Sequence, residues 1–127
     1  MKDYTPIVKQ LRSIPSVKTQ TRKDLYRKLL AGHDFLNNNF LNEIHISQVA
    51  ANCGLSEYYF YRLFKAVYGL SPMQFVIQKR LNYSKLLLLK SKCSISEVAI
   101  LCGFSDIHSF SKAFKKEYLV APSTVLK

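Results

Sequence analysis

The strongest constraint on the fold is an internal repeat. Val49-Ala50-Ala51-Asn52-Cys53-Gly54-Leu55-Ser56-Glu57 returns as Val98-Ala99-Ile100-Leu101-Cys102-Gly103-Phe104-Ser105-Asp106, at an offset of 49. Phe60, Arg62, Phe64, Lys65 and Pro72 are then matched at an offset of 50 by Phe110, Lys112, Phe114, Lys115 and Pro122. On this reading one residue has entered the second copy just after its acidic residue. Two copies are too few for a stacked solenoid. The repeat therefore reads as a duplicated supersecondary unit.

Each copy carries the same local logic. Ile46, Val49 and Ala50, and again Ile95, Val98 and Ala99, lie on one face at helical spacing. Ser94-Ile95-Ser96-Glu97 has the form of a capping box. Gly54 and Gly103 supply the positive φ that ends a helix, and Leu55 and Phe104 follow as buried turn residues. Ser56 and Ser105 are expected to cap the next helix, with Glu57 and Asp106 complementing its positive end. That helix buries Phe60, Leu63, Phe64 and Val67 in the first copy, and Phe110, Ala113 and Phe114 in the second. Two helices joined by a short glycine-containing turn form a helix-turn-helix.

Between the copies, Ser71-Pro72-Met73-Gln74 is a helix-start signal, and a helical pattern runs on to about residue 90. Phe75, Val76, Leu81, Ser84, Leu87 and Leu88 are placed to face both units. About 19 residues at 1.5 Å each give roughly 28 Å, against roughly 34 Å for one turn of DNA. Upstream, Thr21-Arg22-Lys23-Asp24 opens another helix, with Leu25, Leu29, Leu30, Phe35, Leu36 and Phe40 as its packing residues. The fold class is all-α: two homeodomain-like helix-turn-helix subdomains joined by a long connecting helix. The first helix-turn-helix spans about 46–68, the connecting helix about 72–90 and the second helix-turn-helix about 95–118, within a domain of 21–127. Residues 1–20, with Pro6 and Pro15, read as a linker or the tail of a preceding domain, which fits the end of a longer protein.

Charge narrows the partner. The chain has 127 residues and a formal charge of +11, from 19 basic and 8 acidic side chains. A generally basic soluble protein meets that total, but the charge is unevenly placed. Residues 29–61 hold no Lys or Arg, whereas Arg62 to Lys92 hold seven and no acid. Basic blocks set between neutral ones suit a polyanion. Three cysteines, an odd number at spacings of 40 and 9, form no zinc ladder. They fit a reducing compartment, with Cys53 and Cys102 as small buried hydrophobes. No apolar run approaches the roughly 20 residues of a membrane span, and no secretory signal opens the chain. A cytoplasmic protein is the expectation. His33, His45 and His108 fall in different segments, and no acidic pair or phosphate loop accompanies them. Neither an enzyme, a cofactor nor a metal is expected.

With both units in view, the chain closely resembles the DNA-binding domain of the AraC/XylS family of bacterial transcription regulators over about residues 25–127. The second unit carries Ser96-Glu97-Val98-Ala99, Cys102-Gly103-Phe104-Ser105-Asp106, Phe110-Ser111 and Phe114-Lys115-Lys116. The first carries Gly54-Leu55-Ser56, Tyr59-Phe60, Arg62-Leu63-Phe64-Lys65, Gly69 and Ser71-Pro72, and the connecting helix Arg80-Leu81 and Leu87-Leu88. The resemblance implies that the second helix of each unit enters one of two successive major grooves on one face of double-stranded promoter DNA. It also implies activation with RNA polymerase, a domain monomeric alone, and a parent protein able to dimerise. Two departures stand out. Leu119 replaces a glycine usual in the family, so the second reading helix is expected to end differently. Val125 and Leu126 replace an aromatic and an arginine, which weakens the carry-over for the final helix.

The core face of each second helix leaves a stripe for the groove. In the first it is Glu57, Tyr58, Tyr61 and Arg62; in the second, Ile107, His108, Ser111 and Lys112. The resemblance points to the same places except Glu57. Arg62 can bridge guanine O6 and N7 or rest on phosphate. Tyr58 and Tyr61 suit thymine methyls or phosphates, or partial burial. Ile107 suits a thymine methyl or is incidentally exposed. His108 and Ser111 can bond base edges or phosphates, or stay solvated. Lys65, Lys115 and Lys116, with Lys112, suit phosphates, as do the helix-start amides around Ser47 and Ser96. Lys79, Arg80 and Lys85 read as a solvated face or a core-edge ion pair. The competing function is a helical protein-interaction module without DNA affinity; a basic membrane-surface helix fits less well, because its charges are interleaved with packing residues.

Overall fold

A computed structural model describes residues 22–125. The proposed linker at 1–20, the start signal at Thr21 and the departure at Leu126 lie outside the described residues. Within them the chain forms seven α-helices and no strand. These are α1 (Arg22–Asn39), α2 (Ile46–Asn52), α3 (Glu57–Tyr68), α4 (Pro72–Lys90), α5 (Ile95–Leu101), α6 (Ile107–Tyr118) and α7 (Pro122–Val125). No helix among the described residues is long and apolar enough to cross a membrane.

The chain divides into two compact units. Among the described residues, one comprises 22–38 together with Ile44–Met73; the other comprises Asn39–Glu43 together with 74–125. Each is built around a short helix, a tight turn and a longer helix.

In the first unit α1 buries Leu25, Leu29, Gly32 and Leu36. Gly32 is there because α3 comes close: a Cβ at this position would lie 2.5 Å from Cε1 of Phe60. Leu30 and Phe35, expected to pack, are 40% and 46% exposed; α1 offers only one face, and Gly32 and the half-buried His33 occupy it. The His33 ring stacks on Tyr68 at 4.4 Å. From the other two helices and the turn between them the core takes Val49, Ala50, Leu55, Phe60, Leu63, Phe64 and Val67.

In the second unit Leu81 and Leu88 of α4 join Val98, Ala99, Cys102, Phe110 and Phe114 in one buried cluster. Phe104 and Ala113 pack against it half-buried. Cys102 is fully buried, and burial pushes its thiol up to about 11. It is therefore a neutral, space-filling residue at physiological pH. Cys53 is half-buried and shifted the same way by burial.

The two turns close alike. Leu55 N–H donates to Ala50 O at 2.9 Å and Gly54 N–H to Ala51 O at 3.0 Å. Phe104 N–H donates to Ala99 O at 3.0 Å and Gly103 N–H to Ile100 O at 3.0 Å. Both are Schellman pairings, with the glycines at φ +80° and +86°.

Candidate nucleic-acid interface

The reading helices α3 and α6 are each 12 residues long, and their caps set how they correspond. Ser56 Oγ accepts from Tyr59 N–H at 3.2 Å. In α6 the cap is Asp106, whose Oδ1 accepts from Ser109 N–H at 2.7 Å. This corrects the assignment of Ser105. Asp106 stands where Ser56 stands, so the extra residue lies before the cap, in the turn, and not after the acid. From the caps onward the offset is 50 throughout. The aromatic ladders agree: Phe60–Phe64 and Phe110–Phe114 are both edge-on, at 5.6 and 5.7 Å.

The helix ends agree as well. Gly69 N–H donates to Lys65 O at 2.8 Å, and Leu119 N–H to Lys115 O at 2.8 Å. Leu119 adopts φ 65°, ψ 10°, the left-handed conformation that Gly69 also takes. The expectation that α6 ends differently is therefore wrong. The terminal hydrogen bond and the buried rings of α6 hold the backbone in a conformation that costs a leucine about 1–2 kcal/mol.

Burial of Phe60, Leu63, Phe64 and Val67 turns Glu57, Tyr58, Tyr61, Arg62 and Lys65 outward. Glu57, Tyr58, Tyr61 and Arg62 line one open depression. Arg62 Nη1 donates to Tyr58 Oη at 3.3 Å, and its Cζ lies 5.7 Å from that ring centroid. Lys65 Nζ lies 5.8 Å from the Tyr61 ring. These cation–π contacts order two long basic side chains on the exposed face. On α6, Ile107, His108, Lys112, Lys115 and Lys116 are exposed, whereas Ser111 is half-buried and presents the least surface of its stripe.

The short helices differ at their starts. Ser47 is exposed in the first turn of α2, whose N-cap His45 makes no side-chain capping bond. Ser96 is equally exposed on α5, but there Glu97 and Ser94 form a full capping box. The Glu97 carboxyl, held below its usual range by the Ser94 backbone amide, already occupies that positive end.

Sequence reasoning missed Arg80. It is only 7% exposed and forms none of the ion pairs among the described residues. Its guanidinium donates to three main-chain carbonyls: Phe40 at 2.6 Å, Asn42 at 2.8 Å and Gly103 at 3.2 Å. The signal was its place in the row Val76, Arg80, Ser84, Leu88, all of which are buried and spaced to share one helix face. Lys79 and Lys85 instead lie over the rings of Phe75 and Tyr118. Among the described residues no group of His, Cys, Asp and Glu is arranged to hold a metal.

Two capped helix pairs, each closing on a glycine turn and exposing a polar, partly basic second helix, define the class: a double helix-turn-helix protein. A family described as "Helix-turn-helix domain" matches residues 49–127. A protein named "Probable transcriptional regulator LumQ", from Photobacterium leiognathi, is 34% identical over 90 residues, which is 71% of this chain and 36% of that one. An AraC-type DNA-binding-domain regulator from Chromobacterium violaceum has a solved structure 26% identical to this chain. It aligns with a TM-score of 0.71 over 79% of this chain and 89% of that one. The DNA-binding domain of AdpA, solved with a target DNA, aligns with a TM-score of 0.69 at 26% identity, over 76% and 87%. The chain belongs to the AraC-type helix-turn-helix family. It spans about a third of the length of the curated relatives it matches.

Proposed function

We propose that this chain binds double-stranded promoter DNA sequence-specifically, with α3 and α6 in successive major grooves, and regulates transcription as an activator. The observation that carries the reading is the exposed stripe of α3, where Arg62 is steadied by Tyr58 above a buried aromatic core. Tyr58, Tyr61, Arg62, Ile107, His108, Ser111 and Lys112 read bases. Lys65, Lys115 and Lys116 neutralise phosphates, and the start of α2 at Ser47 receives one. The same role at Ser96 is weaker, because the Glu97 carboxylate shares that helix end. The solved complex of AdpA with a target DNA supports the reading, as does the regulator name carried by LumQ. The domain acts as a monomer on an asymmetric site in the cytoplasm, at the nucleoid, with RNA polymerase as the second partner and dimerisation left to the longer parent protein.

A gel-shift titration on a selected site tests this. Arg62→Ala and Lys112→Ala are each expected to weaken binding about tenfold, equivalent to about 1.4 kcal/mol, with unchanged helix content. Unchanged affinity and base preference in both would reject the groove assignment.

A further inference from the structure

We infer that Glu57 and Ile107 give the two halves of the DNA site opposite base preferences, cytosine opposite Glu57 and thymine opposite Ile107. The inference rests on the DNA-binding reading above and specifies what each helix selects. Both side chains follow immediately after the cap of their helix, Ser56 in one case and Asp106 in the other. The shared caps, aromatic ladders and helix ends make them the same structural position in the two copies. Of the buried positions of α3, Phe60 and Phe64 are kept as Phe110 and Phe114, whereas Leu63 and Val67 are matched by Ala113 and Glu117. On the outward stripe the largest chemical step is carboxylate to branched alkyl, at this first position.

Each side chain is exposed where a groove would meet it. Glu57 lines the same depression as Arg62 yet forms none of the ion pairs among the described residues. Ile107 is 43% exposed. A carboxylate brought among phosphates is repelled unless a donor receives it. In the major groove cytosine offers its N4 amino group, whereas guanine presents O6 and N7 and thymine presents O4, all acceptors; adenine offers its N6 amino group only beside the acceptor N7, which repels a carboxylate. Glu57 therefore selects cytosine and rejects guanine and thymine. Isoleucine makes no hydrogen bond, and the one apolar group on a major-groove base edge is the thymine methyl.

Selection of bound duplexes from a randomised pool tests the pair. The unmodified chain is compared with Glu57→Gln, Glu57→Ile and Ile107→Ala; both positions are exposed, and circular dichroism checks that each variant remains folded. At one position of the site, Glu57→Gln is expected to replace cytosine by adenine, and Glu57→Ile to replace it by thymine. Each change should be about tenfold in relative enrichment. Replacing thymine by uracil in the other half should weaken the unmodified chain about fourfold and leave Ile107→Ala unaffected. If the unmodified chain enriches a site and these preferences do not move, the inference fails and the DNA-binding reading stands. If it enriches no sequence at all, that reading fails and the inference falls with it.

Discussion

A guanidinium taken out of water needs acceptors for its N–H groups, and Arg80 finds them in main-chain carbonyls. Burial pulls its pKa down from the ordinary arginine value, yet an arginine keeps its proton, so the three carbonyls serve a permanent cation. Gly103 belongs to the same arrangement: a Cβ there would meet Arg80 Cζ at 3.0 Å and Leu41 O at 3.2 Å. Arg80→Ala is expected to lower the unfolding free energy by about 2–4 kcal/mol in a urea titration. Arg80→Lys should recover only part, since one nitrogen cannot reproduce the fork. Asp106 supplies a second residue-scale prediction. The Ser109 backbone amide holds its carboxyl below the usual range. A depressed carboxyl contributes stability above its unfolded pKa, and that contribution is lost as pH falls through the lower folded value. Melting temperature should therefore fall below about pH 4, and Asp106→Asn should show a smaller fall over the same window.

At the scale of the element, α3 and α6 show which rules a sequence displays and which it conceals. The core faces were legible because Phe, Leu and Val recur at helical spacing. The Ser94–Glu97 capping box was legible because it is a local pattern. The cap of α6 was not: Ser105 and Asp106 are both good caps, and only the backbone path through the longer turn decides between them. Arg80 was hidden because its carbonyl partners lie 23 to 40 residues away along the chain, beyond any local pattern. The outward stripe followed by subtraction from the core, which is why Glu57 emerged from geometry although the family resemblance passed over it. Leu119 shows tertiary structure overriding propensity. It is 82% exposed, so replacing it removes almost no packing. Leu119→Gly is expected to stabilise the protein by about 1 kcal/mol, and Gly69→Leu to destabilise it by a similar amount, both measurable by thermal melting.

At the scale of the molecule, the basic side chains left outside the cores set how the proposed complex responds to salt. Each phosphate neutralised contributes about 0.9 to the slope of log affinity against log salt. Lys115→Ala should therefore flatten that slope by about 0.9 and weaken binding to all duplexes alike. Arg62→Ala should weaken the selected site more than random DNA. The five residues Asn39–Glu43 carry a different consequence. They precede the first reader in the chain yet belong to the unit of the second, where Phe40 and Asn42 receive two of the three Arg80 hydrogen bonds. No single cut of the chain separates the two readers with their parts intact. A piece starting at Gln74 would leave two of those bonds behind, so in genetic terms the duplicated halves have ceased to be interchangeable modules. Recombination at the connecting helix would inherit an arginine without its acceptors.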